Sequence, residues 1–169
     1  MEPYLLALLV HGVIGGADVV LNHELIAKIP SRPNAGPEQW LHSARELVFG
    51  IIFLALAWYQ WHGVAALAIG ALLLAELVIS TVDTVIEVDT RVLPVSERIL
   101  HVFLFVNMGV VVTLVGQALL AWTRLPTGLV AAGHGAPAWV LSVLALVALG
   151  WSVRDGLNAL QRRAVSPCA

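Results

Sequence analysis

Five stretches of this chain are apolar enough, and long enough, to cross a lipid bilayer as helices. About 20 apolar residues span the hydrocarbon core, and the sequence predicts such segments at roughly 4 to 28, 37 to 61, 64 to 90, 94 to 123 and 137 to 161. Of the 169 residues, 59 % are hydrophobic and 12 % are charged, which is too apolar for a soluble globular domain. The sequence therefore predicts an all-α, polytopic membrane helical bundle, with residues 1–169 forming one integral membrane domain.

The connections between the predicted spans are short. The first one, IPSRPNAGP, contains three prolines, and Pro37 suits the first turn of the second helix. Only the corner at His62 and Gly63 separates the second span from the third, which predicts a tight antiparallel helical hairpin.

The basic residues sort to one side of this five-span arrangement. Arg124 falls on the side of the N-terminus, and the other side carries Lys28, Arg32, Arg45, Arg91, Arg98, Arg154, Arg162 and Arg163. By the positive-inside rule the second side is cytoplasmic. We therefore expect an integral protein of a bacterial inner membrane, with its N-terminus outside and its C-terminus in the cytoplasm. The net charge of -2 gives no indication of a nucleic-acid partner.

Ionisable side chains gather at the predicted cytoplasmic level of four of the spans. They are Asp18 and His23 in span one, His42 and Glu46 in span two, Asp83 and Glu87 in span three, and Glu97 and His101 in span four. Span five has Arg154 and Asp155 near its end but no polar residue expected to be buried, which indicates a packing or oligomer contact. Four helices are thus predicted to line one polar cluster.

Helical spacing places most of these residues on shared faces, since positions three, four and seven apart align. The predicted stripes are His11, Gly15, Asp18 and Asn22; Gln39, His42 and Glu46; Glu76, Ser80, Asp83 and Glu87; and Glu97 with His101. His23 falls off the Asp18 face. Gly15 and Gly16 are expected to let the backbone of a neighbouring helix approach.

Buried carboxylates require compensation in a membrane. Each Asp or Glu in mid-helix costs about 2.5 to 3.5 kcal/mol on insertion scales, and no Lys or Arg is expected deep in any span, since Arg45 should turn towards the headgroups. The remaining means of compensation are a bound cation or protonation.

The spacing of histidine and carboxylate favours a cation. The pairs His42 with Glu46 and Glu97 with His101 each lie four residues apart on one helix face. Together with carboxylates from two other helices, they resemble the ligand pattern of the ferritin-like di-iron proteins, in which two helices give a single Glu and two give Glu-x-x-His. Here three residues separate the partners, and the first pair is inverted.

The resemblance implies two metal ions, with iron favoured over manganese or zinc. The implied metal ligands are Asp18, His42, Glu46, Asp83, Glu87, Glu97 and His101, with His11, His23, Glu76 and Ser80 as outer-sphere or relay groups. Asp18, Glu46 and Asp83 are the candidate catalytic residues. Because Glu87 can also pair with Arg91 four residues on, we expect Glu87→Ala to lower metal content less than Asp83→Ala or Glu46→Ala.

The function expected from this pattern is that of a metal-dependent oxidoreductase of the hydroxylase, desaturase or oxidase type, within lipid metabolism. Its substrate would be a lipid-soluble small molecule reached from the cytoplasmic leaflet, with an electron-donor protein as partner and the fifth helix as a homo-oligomer contact. Three alternatives stay open. They are a proton- or cation-coupled transporter, a metal-free acid-base lipid isomerase or hydratase, and a b-type haem held by His42 and His101.

Overall fold

The computed structural model describes residues 1–32 and 35–165, with side chains to residue 161. Cys168 and the side chains of Arg162 and Arg163 lie outside the described residues. The helices are α1 (Pro3–Asp18), continued by a π-helical segment (Val19–Ile26), then α2 (Gly36–Trp58), α3 (Ala66–Thr90), α4 (Val95–Trp122) and α5 (Ala136–Val165). The all-α prediction is confirmed, and the predicted span limits agree with these bounds to within about three residues at most ends.

Local sequence explains where the helices begin. Proline occupies the first turn of both α1 and α2, where its missing N–H leaves no hydrogen bond unmade. Pro94 directly precedes α4 in an extended conformation. Acidic residues lie in the first turns of α2 and α4, Glu38 and Glu97 respectively, where the helix dipole favours negative charge.

The connection after α2 differs from the predicted helical corner. Strand β1 (Tyr59–His62) pairs antiparallel with β2 (Gly128–Ala131), so that the α2–α3 and α4–α5 connections form a two-stranded ribbon at one end of the bundle. Gly63 then turns the chain with a φ of +57°, a conformation that favours glycine. The Val64 N–H donates to Thr127 Oγ1 at 3.2 Å and ties the two connections together. We call this the ribbon end and the opposite end the polar end.

Helices α2 and α5 form the closest pair in the bundle. The Ser43 hydroxyl donates to the Ser152 carbonyl at 2.8 Å, and the Ser152 hydroxyl donates to the Ser43 carbonyl at 2.7 Å. Further along, Trp58 Nε1 donates to Ser142 Oγ at 2.9 Å. The fifth helix is therefore an integral part of the bundle. The prediction that it buries no polar residue is wrong, because Ser152 and Asp155 are both buried.

The outward faces of the helices are apolar. Leu67, Leu74, Val106 and Leu146 are each more than 60 % exposed, and a soluble monomer rarely exposes so many large apolar side chains along its helices. Among the described residues, five helices are long and apolar enough to cross a membrane. The architecture fits an integral membrane protein.

Gly50 offers a test of the α2–α5 contact. A Cβ added there would lie 2.7 Å from Leu149 Cγ and 3.4 Å from the Ala145 carbonyl oxygen. We expect Gly50→Ala to lower stability by about 1–3 kcal/mol through overpacking, measured by thermal unfolding in detergent. Gly116→Ala is the matched control, because a Cβ at that helical position meets nothing within 4 Å. Equal melting temperatures for the two variants would contradict this packing.

Candidate metal centre

The π-helical segment after α1 brings His23 into the polar cluster. Its i→i+5 hydrogen bonding, which continues to the Ala27 N–H on the Asn22 carbonyl, widens the turn, so a residue five positions on returns towards the same face. His23 Nε2 consequently lies 3.6 Å from Asp18 Oδ2. The prediction that His23 falls off the Asp18 face is wrong, because it assumed a regular α-helix throughout.

Asn22 fixes this segment against the start of α4. Its side-chain amide donates to Asp18 Oδ1 at 2.7 Å, and its side-chain oxygen accepts a hydrogen bond from Ser96 Oγ at 2.6 Å. Both polar atoms of the Asn22 side chain are therefore hydrogen-bonded. These bonds anchor the π-helical turn to α4 and orient Asp18 towards that helix.

A first group of possible metal ligands comes from the π-helical segment, α3 and α4. One donor atom each from His23, Glu87, Glu97 and His101 lies within 4.8 Å of the others, and all four residues are buried. Asp18 lies beside this group, with Oδ2 3.2 Å from His101 Nε2. The spacing and donor types suit a divalent transition metal bound by imidazole and carboxylate.

A second group comes from α2 and α3. Donor atoms of Glu38, His42 and Glu87 lie within 4.8 Å of one another. Asp83 lies next to this group, with Oδ2 3.4 Å from His42 Nε2. Glu38 was not among the residues predicted from the sequence, although its position four residues before His42 on the same helix face was a usable signal.

Glu87 belongs to both groups. Its Oε1 lies 3.2 Å from His42 Nε2 in the second group, and its Oε2 lies 3.7 Å from His101 Nδ1 in the first. Glu87 Oε2 is buried without a hydrogen-bond partner. A carboxylate with one oxygen towards each of two donor sets is placed to bridge two cations.

Arg45 lies inside the bundle. Its Nη1 donates to Asp83 Oδ2 at 2.8 Å, and its Nε donates to Glu76 Oε1 at 3.3 Å. The expectations that Arg45 turns towards the headgroups, and that no basic residue offsets the buried acids, are therefore wrong. A guanidinium group can form this fork because its rigid donors reach carboxylates on two turns of α3.

Arg91 links three helices just after α3. It donates to Glu38 Oε1 from Nε at 2.9 Å, and it forms two hydrogen bonds to Glu97, at 2.7 and 2.5 Å. Arg91 Nη2 is also 3.5 Å from Glu87 Oε1. Burial alone would lower the pKa of the Arg91 guanidinium, but the bonds to Glu97 and Glu38 outweigh it and raise the pKa above its ordinary value.

The remaining predicted residues lie around these groups. Glu46 Oε2 is buried without a hydrogen-bond partner, and Glu46 belongs to neither donor group. Ser80 donates to Glu76 Oε1 at 2.6 Å, within the network that Arg45 forms. His11 stacks on Phe49 with ring centroids 4.4 Å apart. The His11 Nδ1 atom lies 3.2 Å from Asn107 Nδ2.

A cavity of about 200 Å³ adjoins the donor groups between α1, α2 and α5. Its polar lining comes from His11, Asp18, His23, His42, Arg45 and Glu46, and apolar side chains from α2, α4 and α5 complete the walls. Gly15 and Gly16 line this cavity. A Cβ at Gly16 would meet nothing within 4 Å, so the expected close approach of a neighbouring backbone at that position is wrong.

No protein-family model matches this chain, nor does any curated protein or solved structure. Its class is therefore defined by the features of its described residues: an all-α bundle with five membrane-length helices around a buried cluster of histidine and carboxylate side chains.

Proposed function

We propose that this chain is a membrane-embedded, metal-dependent oxidoreductase that holds two metal ions, with iron as the leading candidate. The observation that carries the proposal is the position of Glu87, which is shared by two groups of converging donor atoms. Glu87 would bridge the ions, His23, Glu97 and His101 would complete one side, and Glu38 and His42 the other. Asp18 lies within hydrogen-bonding distance of His101, and Asp83 lies close to His42, so both would serve as ligands or as groups that orient these histidines.

The charge balance supports two divalent cations. Six carboxylates of the cluster are buried, at Asp18, Glu38, Glu76, Asp83, Glu87 and Glu97. Two guanidinium groups, from Arg45 and Arg91, contact this set. With the histidines neutral, four negative charges of this set are left over, and buried charges without counter-charges are costly. Two divalent ions would balance the four.

Joint protonation of His23 and His42 is a weaker way to balance the charge. The His23 and His42 rings are stacked with centroids 4.4 Å apart and an interplanar angle of 16°. Two imidazolium groups in this arrangement would repel each other, because like charges at short range in a poorly solvated site disfavour joint ionisation. Neutral rings are the form that ligates a metal.

The donor types favour iron. The groups offer imidazole nitrogen and carboxylate oxygen, which suit iron, manganese and zinc, and the absence of thiolate among them argues against a structural zinc site. When bound, a pair of iron ions supplies electron transfer with oxygen. The residues of the chain hold the ions, exclude water and, through Glu46 at the cavity, exchange a proton with the substrate.

The adjoining cavity supports a lipid-soluble substrate. Its polar residues gather next to the donor groups while its other walls are apolar, as in sites that position one polar group of an apolar ligand. Hydroxylation, desaturation or oxidation of such a molecule would place the chain in lipid metabolism.

A transporter is less well supported. The fully buried side chains described nearer the ribbon end are apolar, including Leu5, Leu8, Ile52, Leu56 and Ile69. Relay residues in pumps and transporters continue across the membrane, whereas among the described residues the buried ionisable side chains extend from the polar end only to His11 and Glu76, near the middle of their spans. Metal-free acid-base chemistry is the second candidate, favoured by the unpartnered carboxyl oxygen of Glu46 at the cavity.

Anaerobic reduction and re-oxidation of the purified protein test the redox assignment. We expect the visible or Mössbauer spectrum to change on reduction and to recover on exposure to oxygen. His42→Ala should lose the change, whereas His62→Ala, which alters a histidine of the ribbon end, should retain it. Activity that persists in chelator, with no bound metal, would replace this proposal with the acid-base alternative.

We further propose that the polar end faces the cytoplasm of a bacterial cell, across the inner membrane. Lys28, Arg32, Arg91 and Arg98 lie at or near the connections of this end, whereas Arg124 lies at the ribbon end. Reporter fusions at residue 165 should report a cytoplasmic position, and fusions before Pro3 an external one. The reverse result would overturn the orientation. An electron-donor protein and self-association through α5 stay predictions.

A further inference from the structure

The cavity beside the donor groups has the size of a single ring. Its volume is about 200 Å³, and an apolar protein cavity of about 150 Å³ is known to bind benzene. Gly15 and Gly16 contribute no side chains on the α1 side. Gly16 is exposed, so the cavity is open to the exterior between helices, where an apolar tail would meet lipid.

Aromatic side chains line much of this space. His11 and Phe49 stack on one another, and the Phe53 ring centroid lies 5.5 Å from that of Phe49. Trp151 contributes from α5. Planar rings pack favourably in offset or edge-to-face contact with such walls, which favours an aromatic headgroup over a branched or purely aliphatic one.

The charges at the cavity disfavour an anionic headgroup. Asp18 and Glu46 both line it. The only guanidinium among its lining residues is that of Arg45, which already pairs with Asp83 and Glu76. With the lining histidines neutral, a fatty-acid carboxylate would meet two acidic side chains and one arginine that is already paired, so electrostatics favours a neutral ligand.

Glu46 lines the cavity and offers a hydrogen-bond acceptor to a polar ligand. Its Oε2 is buried without a hydrogen-bond partner in the described structure, and leaving such an atom unpaired costs free energy. We propose that this cavity binds a lipid-soluble molecule with a neutral, hydroxyl-bearing aromatic headgroup, whose hydroxyl donates a hydrogen bond to Glu46. The inference names the substrate class of the proposed function and rests on that function only for the chemistry after binding.

The test measures quenching of Trp151 fluorescence by a brominated ring in lipid nanodiscs. The probe is 2-bromo-4-decylphenol, compared with its methyl ether, which cannot donate a hydrogen bond, and with 3-bromo-4-decylbenzoate, which is anionic. We expect saturable quenching by the phenol, with affinity at least about tenfold above that of the ether and of the benzoate, as one hydrogen bond to a buried carboxyl oxygen provides. Trp151→Phe should remove the quenching, and Trp139→Phe, at a residue that is 67 % exposed, should retain it.

Two variants separate the cavity from non-specific partitioning. Glu46→Leu should abolish the preference for the phenol over the ether. Gly16→Leu should weaken binding of the phenol by narrowing the cavity, whereas Gly116→Leu, at a glycine with open space on α4, should not. Equal binding of phenol and ether by the unmodified chain, a preference for the benzoate, or quenching unaffected by Gly16→Leu would each overturn the proposal.

The titration uses chelator-treated protein whose metal content is measured in the same sample. Binding to metal-free protein supports the cavity assignment whatever the metals do. If the chelator-treated protein shows no preference for the phenol, while parallel samples without chelator bind two metal ions, the substrate class is rejected and the metal centre is retained.

Discussion

Replacing Arg45 with methionine is expected to lower the free energy of unfolding by about 3–5 kcal/mol. The substitution keeps much of the apolar stem but leaves the carboxylates of Glu76 and Asp83, both 0 % exposed, without their guanidinium partner. Breaking a buried ion pair from one side is costly because the remaining charge stays buried. Denaturant unfolding of the purified protein in detergent measures the loss.

Arg124→Met is the matched control, because Arg124 is exposed at the ribbon end and should contribute little. Adding Asp83→Asn and Glu76→Gln to the Arg45→Met chain should recover part of the stability, since the unpaired charges are then gone. An Arg45→Met variant as stable as Arg124→Met would show that Arg45 does not compensate the buried acids.

Glu87→Gln is expected to reduce bound metal from two ions per chain to fewer than one. The change keeps the size of the side chain but removes the charged carboxylate that both donor groups share. Losing it weakens both sites together, whereas losing an unshared ligand weakens one. Elemental analysis of protein purified in detergent measures the effect.

Asp89→Asn is the control on the same helix, because Asp89 is exposed and lies outside the donor groups. It should retain full metal, and so should Glu46→Ala. This order reverses the one expected from the sequence, where Glu87 was given a smaller effect than Glu46 and Asp83. Full metal in Glu87→Gln combined with loss in Glu46→Ala would restore the sequence-based ligand assignment.

Hydrophobic periodicity and length predict the helices well, because lipid-crossing segments must satisfy their own backbone hydrogen bonds. The ribbon was missed because Tyr59–His62 is only four residues long and pairs with a segment far along the chain. Such a pairing leaves little trace in local sequence, although the glycines near both connections were compatible with a turn.

Helical spacing also identified much of the polar cluster, and it failed where the backbone or a long side chain departs from the regular pattern. His23 depends on a π-helical turn that a period of 3.6 residues cannot express. Arg45 lies in the first half of α2, where a side chain directed to the headgroups was expected. Its long side chain instead reaches Asp83 and Glu76 on α3. Glu38 was not predicted as a metal ligand, because the predicted polar face of α2 was Gln39, His42 and Glu46. Glu38 nevertheless lies four residues before His42 and shares its helix face.

The measurement closest to the central claim is the metal-to-protein ratio of the unmodified chain. Elemental analysis on membrane-extracted protein, with concentration from amino-acid analysis, should find about two transition-metal ions per chain, chiefly iron, since two donor groups share Glu87. A folded preparation, purified without chelator from iron-supplemented cells, that holds no stoichiometric metal would contradict the account.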